Sequence, residues 1–431
     1  MPEAYANYDH LMTQEQLNVM VIGNGARERA LAWKLAQSDR AGNILVIPSS
    51  PDNVTFARDP DNNIDLVVVG PDDDLAKGVV DDLSLVGIPT FGPTQKAARI
   101  ESSKPYAKRL MDENGIPTAT FEIFSDPAQA HEYIDIRQRP LYVKAGGLAL
   151  GKGALECLTV YAAHEAVDDI VVRKLFGEAG NEVVIEDYLD GQEISFHAIC
   201  DGETYHMFPS SQDHKKADEG DRGLNTGGMG TISPVPWFSQ ERVNESGLVI
   251  VKPILSAMHN EGNDFRGLLY PGAMVNDKDL NVLEYNARFG DPETQVYMRR
   301  LKSDLLDIIT AALSHHLNEV ELQWSKDFAV CIVAASGGYP GPYKKGKRIY
   351  GLDAAENMDG VKVFLAGASE QDGEYFTSGG RVLGVTAMGE TLGAALDSGY
   401  AAMEKIRFEG KKVRSDIGAK ALLNHFVRGE L

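Results

Sequence analysis

The chain has 431 residues, of which 43% are hydrophobic and 24% are charged. This length predicts about three domains, and the apolar content is too high for a disordered protein. The 42 Lys and Arg residues against 63 Asp and Glu residues give a formal net charge of −21, which disfavours binding to nucleic acid or to an anionic membrane.

The three cysteines, Cys157, Cys200 and Cys331, are far apart and lack CxxC spacing. We therefore expect neither a disulfide framework nor a structural zinc site, and a reducing cytoplasm as the location. No apolar run reaches the roughly 18 residues that a membrane helix needs. The N-terminus has no signal-peptide pattern. The composition favours a soluble cytoplasmic enzyme.

The first predicted unit spans residues 18–93 and follows a flexible extension over residues 1–17. Continuous apolar runs separated by a helical pattern predict a parallel sheet that is covered on both faces. These runs are Val19–Ile22, Ile44–Ile47 and Leu66–Val69. Residues 48–63 are polar and have no helical period, so we expect hardly any room for a helix in that crossover.

A glycine-containing turn, Gly23-Asn24-Gly25, follows the first strand and opens the first helix. Bare amide N–H groups at a helix N-terminus favour anions, so the turn predicts a phosphate site. The third glycine of the dinucleotide fingerprint is missing, and no acid ends the second strand. A phosphate site and a tight structural turn are both consistent with this motif.

Residues 94–317 alternate helices with short strands. The predicted helices span 103–114, 127–137 and 161–173, and the predicted strands span 141–145, 183–187, 193–200, 268–275 and 281–287. After residue 324, a strand over 328–335 and a helix over 391–406 predict an α+β module.

The segment 144–153 is a glycine-rich hairpin tip between two predicted strands. Glycines let backbone N–H groups close on phosphate oxygens, and Lys144 together with the separate Lys104 would supply positive charge. The segment lacks the GxxxxGK[ST] order of a P-loop. An ordinary loop is the alternative interpretation.

Acidic, amide and guanidinium groups alternate along the predicted strand that contains Glu284 and Asn286 and runs toward Arg288. Side chains at i, i+2 and i+4 of a strand share a face, so these three would project together. Two hard oxygen ligands beside substrate phosphates suit Mg²⁺. A partly exposed strand edge is the alternative.

The polar stretch 211–230 is interpreted as a long flexible loop, either a lid over the reacting centre or a mobile insertion.

Together these segments resemble the phosphoribosylamine–glycine ligase family of the ATP-grasp superfamily, in the family's order and over nearly the whole chain. They are VIGNGARERALAWK (21–34), VVGPDDDLAKGVVD (68–81), FGPT (91–94), VKAGGLALGKG (143–153), EDYLDGQEISF (186–196), SQDHKK (211–216), NTGGMG (225–230), EYNARFGDPETQ (284–295) and GGYPG (337–341).

The resemblance implies a mixed α/β and α+β fold. A shortened, Rossmann-like parallel-sheet domain over 18–93 would precede an ATP-grasp domain over 94–323, whose lid subdomain covers about 120–190. A C-terminal α+β domain over 324–431 would follow. The positions at which this chain departs from the family cluster in the first domain. There, Ala26 and Arg29 replace a glycine and a histidine of the family's Gly-Gly-Arg-Glu-His turn.

The resemblance also implies roles for individual residues. ATP would be held by Lys104, Lys144, Gly151, Lys152, Glu186, Tyr188, Leu189 and Glu193. Mg²⁺, or Mn²⁺, would be held by Glu284 and Asn286. The implied catalytic residues are Arg288, Asp213 and Lys144. The implied substrate-binding residues are Gly23, Asn24, Gly25, Gly70, Pro71, Asn225, Thr226, Gly227, Gly228, Arg288 and Asp291.

The activity implied by the resemblance is an ATP-dependent ligation of two small-molecule substrates, glycine and 5-phosphoribosylamine, through glycyl phosphate. A cytoplasmic monomer is expected. Two alternatives stay open because of the altered N-terminal turn. One is a diverged ATP-grasp ligase that joins glycine or a similar carboxylate to a different amine. The other is a non-catalytic nucleotide-binding paralogue.

Overall fold

The computed structural model describes residues 8–149, 151–277 and 279–428, with the backbone alone over 424–428. The N-terminal unit is a four-stranded sheet in the order β2-β1-β3-β4, with all three pairings parallel. The elements are α1 (His10–Thr13), β1 (Leu17–Ile22), α2 (Ala26–Leu35), β2 (Ala41–Ile47), α3 (Asn53–Arg58), β3 (Leu66–Val69), α4 (Asp72–Ala76), α5 (Val79–Leu85) and β4 (Thr90–Phe91).

This sheet is covered on both faces, as its apolar strands predict. Side chains alternate along β1, so that Val19 and Val21 contribute to the core under α2 while Met20 and Ile22 contribute to the core under α3 and α5. The predicted parallel sheet is confirmed.

Two expectations for this unit differ from the structure. The crossover 48–63 does contain a helix, α3, because Ala57 buries itself against the sheet with Val54 and Phe56 beside it. Six residues are too few to show a helical period in the sequence. In the predicted extension 1–17, residues 1–7 lie outside the described part, but α1 is folded and its Leu11 is 1% exposed in the core.

Two helices, α6 (Gln95–Ser102) and α7 (Lys104–Glu113), lead into a small antiparallel sheet in the order β5-β8-β6-β7. Its elements are β5 (Phe121–Phe124), α8 (Pro127–Arg137), β6 (Leu141–Ala145), β7 (Ala154–Cys157), α9 (Val160–Val167) and β8 (Val183–Asp187). This sheet lies inside the limits given above for the lid subdomain, and α8 and α9 cover one of its faces.

The central region carries a five-stranded sheet in which β11, β10, β16 and β17 are neighbours and β9 also pairs with β16. The elements are β9 (Gln192–Ser195), β10 (Ala198–Asp201), β11 (Tyr205–Met207), β12 (Gln212–Asp213), β13 (Lys216–Asp218), β14 (Arg222–Asn225), β15 (Gly230–Ser233), α10 (Gln240–Ile250), α11 (Lys252–Asn260), β16 (Arg266–Val275), β17 (Leu280–Asn286), α12 (Glu293–Arg300) and α13 (Leu305–Leu313).

The strand predicted over 193–200 is split into β9 and β10, which pair with opposite halves of β16. The break falls beside Pro271, which has no N–H to donate to a neighbouring strand. At this point the Pro271 carbonyl accepts from the Phe196 amide at 2.9 Å.

The C-terminal sheet has the order β12-β15-β18-β23-β20, so that its first two strands come from the central region. A three-stranded sheet, β19-β22-β21, lies beside it. The elements are β18 (Phe328–Ala335), β19 (Arg348–Ile349), α14 (Leu352–Glu356), β20 (Val361–Leu365), β21 (Ala368–Gln371), β22 (Glu374–Thr377), β23 (Arg381–Gly389), α15 (Leu392–Lys405) and α16 (Ala419–Arg428).

Cys157, Cys200 and Cys331 are all buried and free. Within the described ranges, no helix combines the length and the apolar character that crossing a membrane requires.

Candidate active site

A cavity of about 490 Å³ lies where the small antiparallel sheet β5-β8-β6-β7, called the lid sheet below, faces β17. It brings together most of the predicted site residues, namely Lys104, Lys144, Gly151, Glu186, Tyr188, Leu189, Glu193, Asp213, Asn225, Thr226, Gly227, Glu284, Asn286, Arg288 and Asp291. The predicted site residues that do not line it are Gly23, Asn24, Gly25, Gly70, Pro71, Lys152 and Gly228.

Two buried lysines share one carboxylate at the lid side of this cavity. Glu186 on β8 lies 2.8 Å from the Lys144 Nζ on neighbouring β6, and 3.1 Å from the Lys108 Nζ on α7. Burial would raise the pKa of Glu186, but the two ammonium groups lower it. Burial lowers the pKa of Lys108 to about 8, against the opposing effect of Glu186. The cluster holds more positive than negative charge, which suits an anionic ligand.

Lys104 opens α7 and reaches the glycine-rich hairpin tip. Its backbone N–H donates to the Gly146 carbonyl at 2.8 Å, and its Nζ donates to the Gly147 carbonyl at 3.4 Å. On the other side of the tip, Lys152 donates to the Pro340 carbonyl at 3.4 Å, which lies in the C-terminal unit. The tip therefore contacts α7 on one side and the C-terminal unit on the other.

Glu284, Asn286 and Arg288 line the cavity together, as predicted, but only Glu284 and Asn286 lie on β17 and Arg288 follows its end. The Arg288 Nη2 donates to the Asn286 Oδ1 at 3.1 Å. Burial would raise the pKa of Glu284, but Lys215, Lys104 and further cations lower it to about 2, so this carboxylate is ionised.

The side-chain oxygens of Glu284 and Asn286 fit a divalent cation that is also bound by phosphate oxygens of a ligand. Asn286 donates through Nδ2 to the Tyr270 carbonyl at 3.2 Å, which leaves its Oδ1 toward Arg288 and the cavity. No cluster of three or more His, Cys, Asp or Glu residues able to hold a metal occurs in the described ranges. A Mg²⁺ ion on Glu284 and Asn286 would therefore need ligand oxygens to complete its coordination.

A buried carboxylate that was not predicted holds Arg288 in place. Glu101, at the end of α6, lies 2.9 Å from the Arg288 Nη2 through Oε1 and accepts from the Ala287 N–H at 2.7 Å through Oε2. Burial raises the pKa of Glu101 to about 7, although Arg288 opposes the shift.

The polar stretch interpreted as a flexible loop forms a hairpin, β13–β14, in the structure. We call residues 213–228 the substrate hairpin. Its Lys215 forms an ion pair with Glu193 and lies 3.8 Å from a Glu284 oxygen. Burial would lower the pKa of Lys215, but Glu193, Glu284 and Asp213 raise it. The expected irregular loop is therefore wrong, because β13 and β14 pair with each other and the two ends of the stretch are joined by backbone hydrogen bonds between His214 and residues 229 and 230.

The turn 23–25 lies outside the cavity, and its backbone already contacts an acid. The Gly25 N–H donates to the Glu28 Oε2 at 2.6 Å, and the Arg27 Nε donates to the Glu28 Oε1 at 2.7 Å. A Cβ on Gly70 would lie 2.1 Å from the Glu28 Oε1, so a glycine is required there for Glu28 to fit. In this structure the anion at the helix N-terminus is the chain's own carboxylate.

Sequence reasoning missed several charged residues that line the cavity, among them Glu101, Lys108 and Lys215, and also Arg381, which lies behind the lining. One of them had a usable signal: Lys108 follows Lys104 by one helical turn. Arg381 begins β23 and contacts Gly227 and Asp291 from another domain, so no local pattern indicates it.

The fold and this convergence of lysines, acids and an arginine define an ATP-grasp enzyme. Three family models match the chain in order: the phosphoribosylglycinamide synthetase N domain over residues 17–101, its ATP-grasp (A) domain over 102–294 and its C domain over 329–420. The chain belongs to the phosphoribosylglycinamide synthetase family.

Relatives support this over the full length. A phosphoribosylamine–glycine ligase of Neisseria meningitidis serogroup A is 43% identical over 94% of this chain and 100% of its own. One of Pseudomonas syringae pv. tomato is 42% identical over 96% of this chain and 99% of its own. The Neisseria alignment includes the N-terminal domain, where the motif departures cluster.

Solved structures agree. The phosphoribosylamine–glycine ligase of Thermotoga maritima superimposes with a TM-score of 0.79 at 33% identity, covering 93% of this chain and 100% of that one. A biotin carboxylase domain of Hydrogenobacter thermophilus 2-oxoglutarate carboxylase, solved with MgADP and bicarbonate, has a TM-score of 0.71 at 16% identity, and covers 93% of this chain and 92% of that one. That second likeness concerns the fold alone. The ATP-grasp fold expected from the resemblance is confirmed.

Proposed function

We propose that this chain forms glycinamide ribonucleotide from glycine, 5-phosphoribosylamine and ATP, with release of ADP and phosphate, as a step of purine biosynthesis. The observation that carries the proposal is one cavity in which Lys104, Lys144 and Lys108 face Glu284, Asn286 and Arg288. The identity of the substrates is inferred from the relatives, which are phosphoribosylamine–glycine ligases.

The nucleotide is assigned to the lid side of the cavity. Lys104 and Lys144 would meet its phosphates beneath the glycine-rich tip with Gly151 and Lys152. The segment from Glu186 to Leu189 would contact the adenine, and Glu193 the ribose. In the structure Glu186 is occupied by its two lysines, and Glu193 by Lys215. A ribose hydroxyl at Glu193 would therefore share that carboxylate with Lys215.

The chemistry needs charge stabilisation rather than a nucleophilic side chain. A glycine carboxylate oxygen attacks the γ-phosphorus of ATP, and the bond to ADP breaks. The amine nitrogen then attacks the acyl carbon, loses a proton, and phosphate leaves. Arg288 and Lys144 would balance charge on the transferring oxygens. Mg²⁺, or Mn²⁺, on Glu284 and Asn286 would supply further positive charge there. The glycine-rich tip would exclude water from the acyl phosphate.

Glycine is assigned to the part of the cavity that is lined by Asp213, Asn225–Gly227 and Asp291; Gly228, also expected there, follows this lining. Burial raises the pKa of Asp213, and neighbouring Glu293 adds to the shift. An ammonium group placed between these acids would favour their ionised forms. We further propose that the enzyme acts as a cytoplasmic monomer.

A ligase for a different amine is the second candidate. It is favoured by the departures from the family's turn at Ala26 and Arg29. Glu28, which occupies the Gly25 amide, is present in the family's turn as well. In this candidate the carboxylate half of the reaction is unchanged, and only the amine differs.

The experiment measures ADP release with Mg·ATP and glycine, with and without freshly generated phosphoribosylamine. Dependence on both substrates, with glycinamide ribonucleotide detected by mass spectrometry, is the expected result. Glycine-dependent ADP release that is indifferent to phosphoribosylamine would support the second candidate. No glycine dependence in either mixture would overturn both.

A further inference from the structure

Both backbone polar groups of Gly227, in the substrate hairpin, are bonded by the C-terminal domain. The Gly227 N–H donates to the Tyr339 hydroxyl at 3.2 Å. The Gly227 carbonyl accepts from the Arg381 Nη1 at 2.5 Å. The backbone of the hairpin is therefore fixed at this point by side chains from another domain.

The same guanidinium bonds the opposite wall of the cavity. The Arg381 Nη1 donates to the Asp291 carbonyl at 2.7 Å, and its Nη2 donates to the Asp291 Oδ2 at 2.8 Å. Burial would raise the pKa of Asp291, but Arg381 and Arg27 lower it, so the ion pair is charged. A guanidinium presents its N–H donors in a rigid planar fork, whereas the three N–H donors of an ammonium group rotate at the end of a flexible stem.

The geometry points to Arg381 as a positioning residue that fixes the width of the glycine pocket by bridging Gly227 and Asp291. This inference rests on the proposed function, because it takes glycine as the carboxylate substrate. Arg381 does not line the cavity itself, so its effect is exerted through the two residues that do.

The contact between Gly227 and Arg381 can be disrupted by a substitution at either residue, because the two are in direct contact. A Cβ on Gly227 would lie 2.9 Å from the Arg381 Cζ, so that the guanidinium rests directly on this glycine. A methyl group there would displace Arg381 without removing its charge. Gly227→Ala and Arg381→Met should therefore produce the same kinetic change.

The experiment compares Arg381→Met, Arg381→Lys and Gly227→Ala with a matched control, Arg348→Met. Arg348 is an exposed arginine of the same domain, paired with Glu374. For each protein, KM for glycine, KM for ATP and kcat are measured together with the thermal unfolding midpoint. Arg381→Lys keeps the charge, and it serves as the test if Arg381→Met does not fold.

The expected result is a KM for glycine that rises about tenfold or more in Arg381→Met and Gly227→Ala, because charge-assisted bonds to both walls are lost. Arg381→Lys should show a smaller rise in the same constant. The KM for ATP should change by less than about twofold, because Lys104, Lys144 and Lys108 lie on other elements. Arg348→Met should match the wild type.

An unchanged KM for glycine in Arg381→Met and Arg381→Lys would overturn the inference, as would equal losses of ATP and glycine affinity. These outcomes differ from a failure of the proposed function. In that case the wild-type protein itself would show no glycine-dependent ADP release, and the inference would fall with it.

Discussion

The lid side of the cavity and the N-terminal turn differ in what their polar groups contact. At the lid side, lysines on β6 and α7 and acids on β8 and β17 converge on an open volume. At the turn 23–25, the amide of Gly25 is bonded to Glu28 and does not line this cavity. The difference shows that the charged side chains on strands surround an open volume, whereas the amide of the glycine turn is occupied by a carboxylate of the same chain.

The largest expected effect concerns the Lys108–Glu186–Lys144 cluster. Glu186→Gln would leave two buried ammonium groups without their anion, and breaking such a pair costs about 3–5 kcal/mol. Unfolding in denaturant measures the loss. The control is Glu182→Gln, at a partly exposed residue that lies 3.7 Å from Arg109, for which a loss below about 1 kcal/mol is expected. Equal losses in the two variants would show that the cluster is not a buried charge centre.

Glu284→Gln is expected to lower kcat by about 10²-fold or more, because it removes a charged ligand from the reacting phosphates. The fold should be preserved, since the side chain keeps its shape. Steady-state ADP release measures kcat, and the exposed Glu319→Gln serves as the control. Turnover within about threefold of the wild type, a difference of roughly 0.6 kcal/mol in activation free energy, would refute the assigned role.

The contribution of Glu101 can be separated from that of the other acids by comparing the pH dependence of unfolding between the wild type and Glu101→Gln. Its pKa is raised in the folded state from 4.5 to about 7, so the folded protein binds this proton more tightly than the unfolded chain. Its stabilising contribution is complete below pH 4.5 and is lost as the pH rises toward about 7. The contribution is at most about 3 kcal/mol. Glu101→Gln should remove this slope from unfolding curves measured across that range. A slope identical to that of the wild type would contradict the shift.

The smallest effect is expected at the turn. A Cβ on Gly25 would lie 2.7 Å from the Glu28 Oε2, so Gly25→Ala should displace the carboxylate from the helix N-terminus and cost about 1 kcal/mol. If the turn binds phosphate, the KM for phosphoribosylamine should change while the affinity for Mg·ATP, measured by titration, does not. An equal loss of ATP affinity would mean that the turn belongs to the nucleotide site.

The sequence predicted the site best where residue type and backbone period act together. Glu284 and Asn286 share one face because a strand alternates its side chains, so their convergence could be predicted from spacing. Arg288 lies two residues beyond the end of β17 and reaches the same cavity from a bend. Helix α3 was missed because its packing against the sheet, rather than any local period, stabilises six residues. Arg381 could not be found because it reaches Gly227 only through the pairing of strands that are distant in sequence.

The C-terminal sheet begins with β12 and β15, and the substrate hairpin is the connection between these two strands. The sheet is therefore complete only when β12 and β15, from the middle of the chain, pair with the strands of the C-terminal region. A cut at residue 324 would leave β18 without its β15 neighbour. The hairpin would stay attached to the paired strands β12 and β15, but it would lose its hydrogen bonds to Tyr339 and Arg381. The three sequence-defined domains are thus not interchangeable parts. Exchanging the C-terminal domain with a relative would require the hairpin to be exchanged as well.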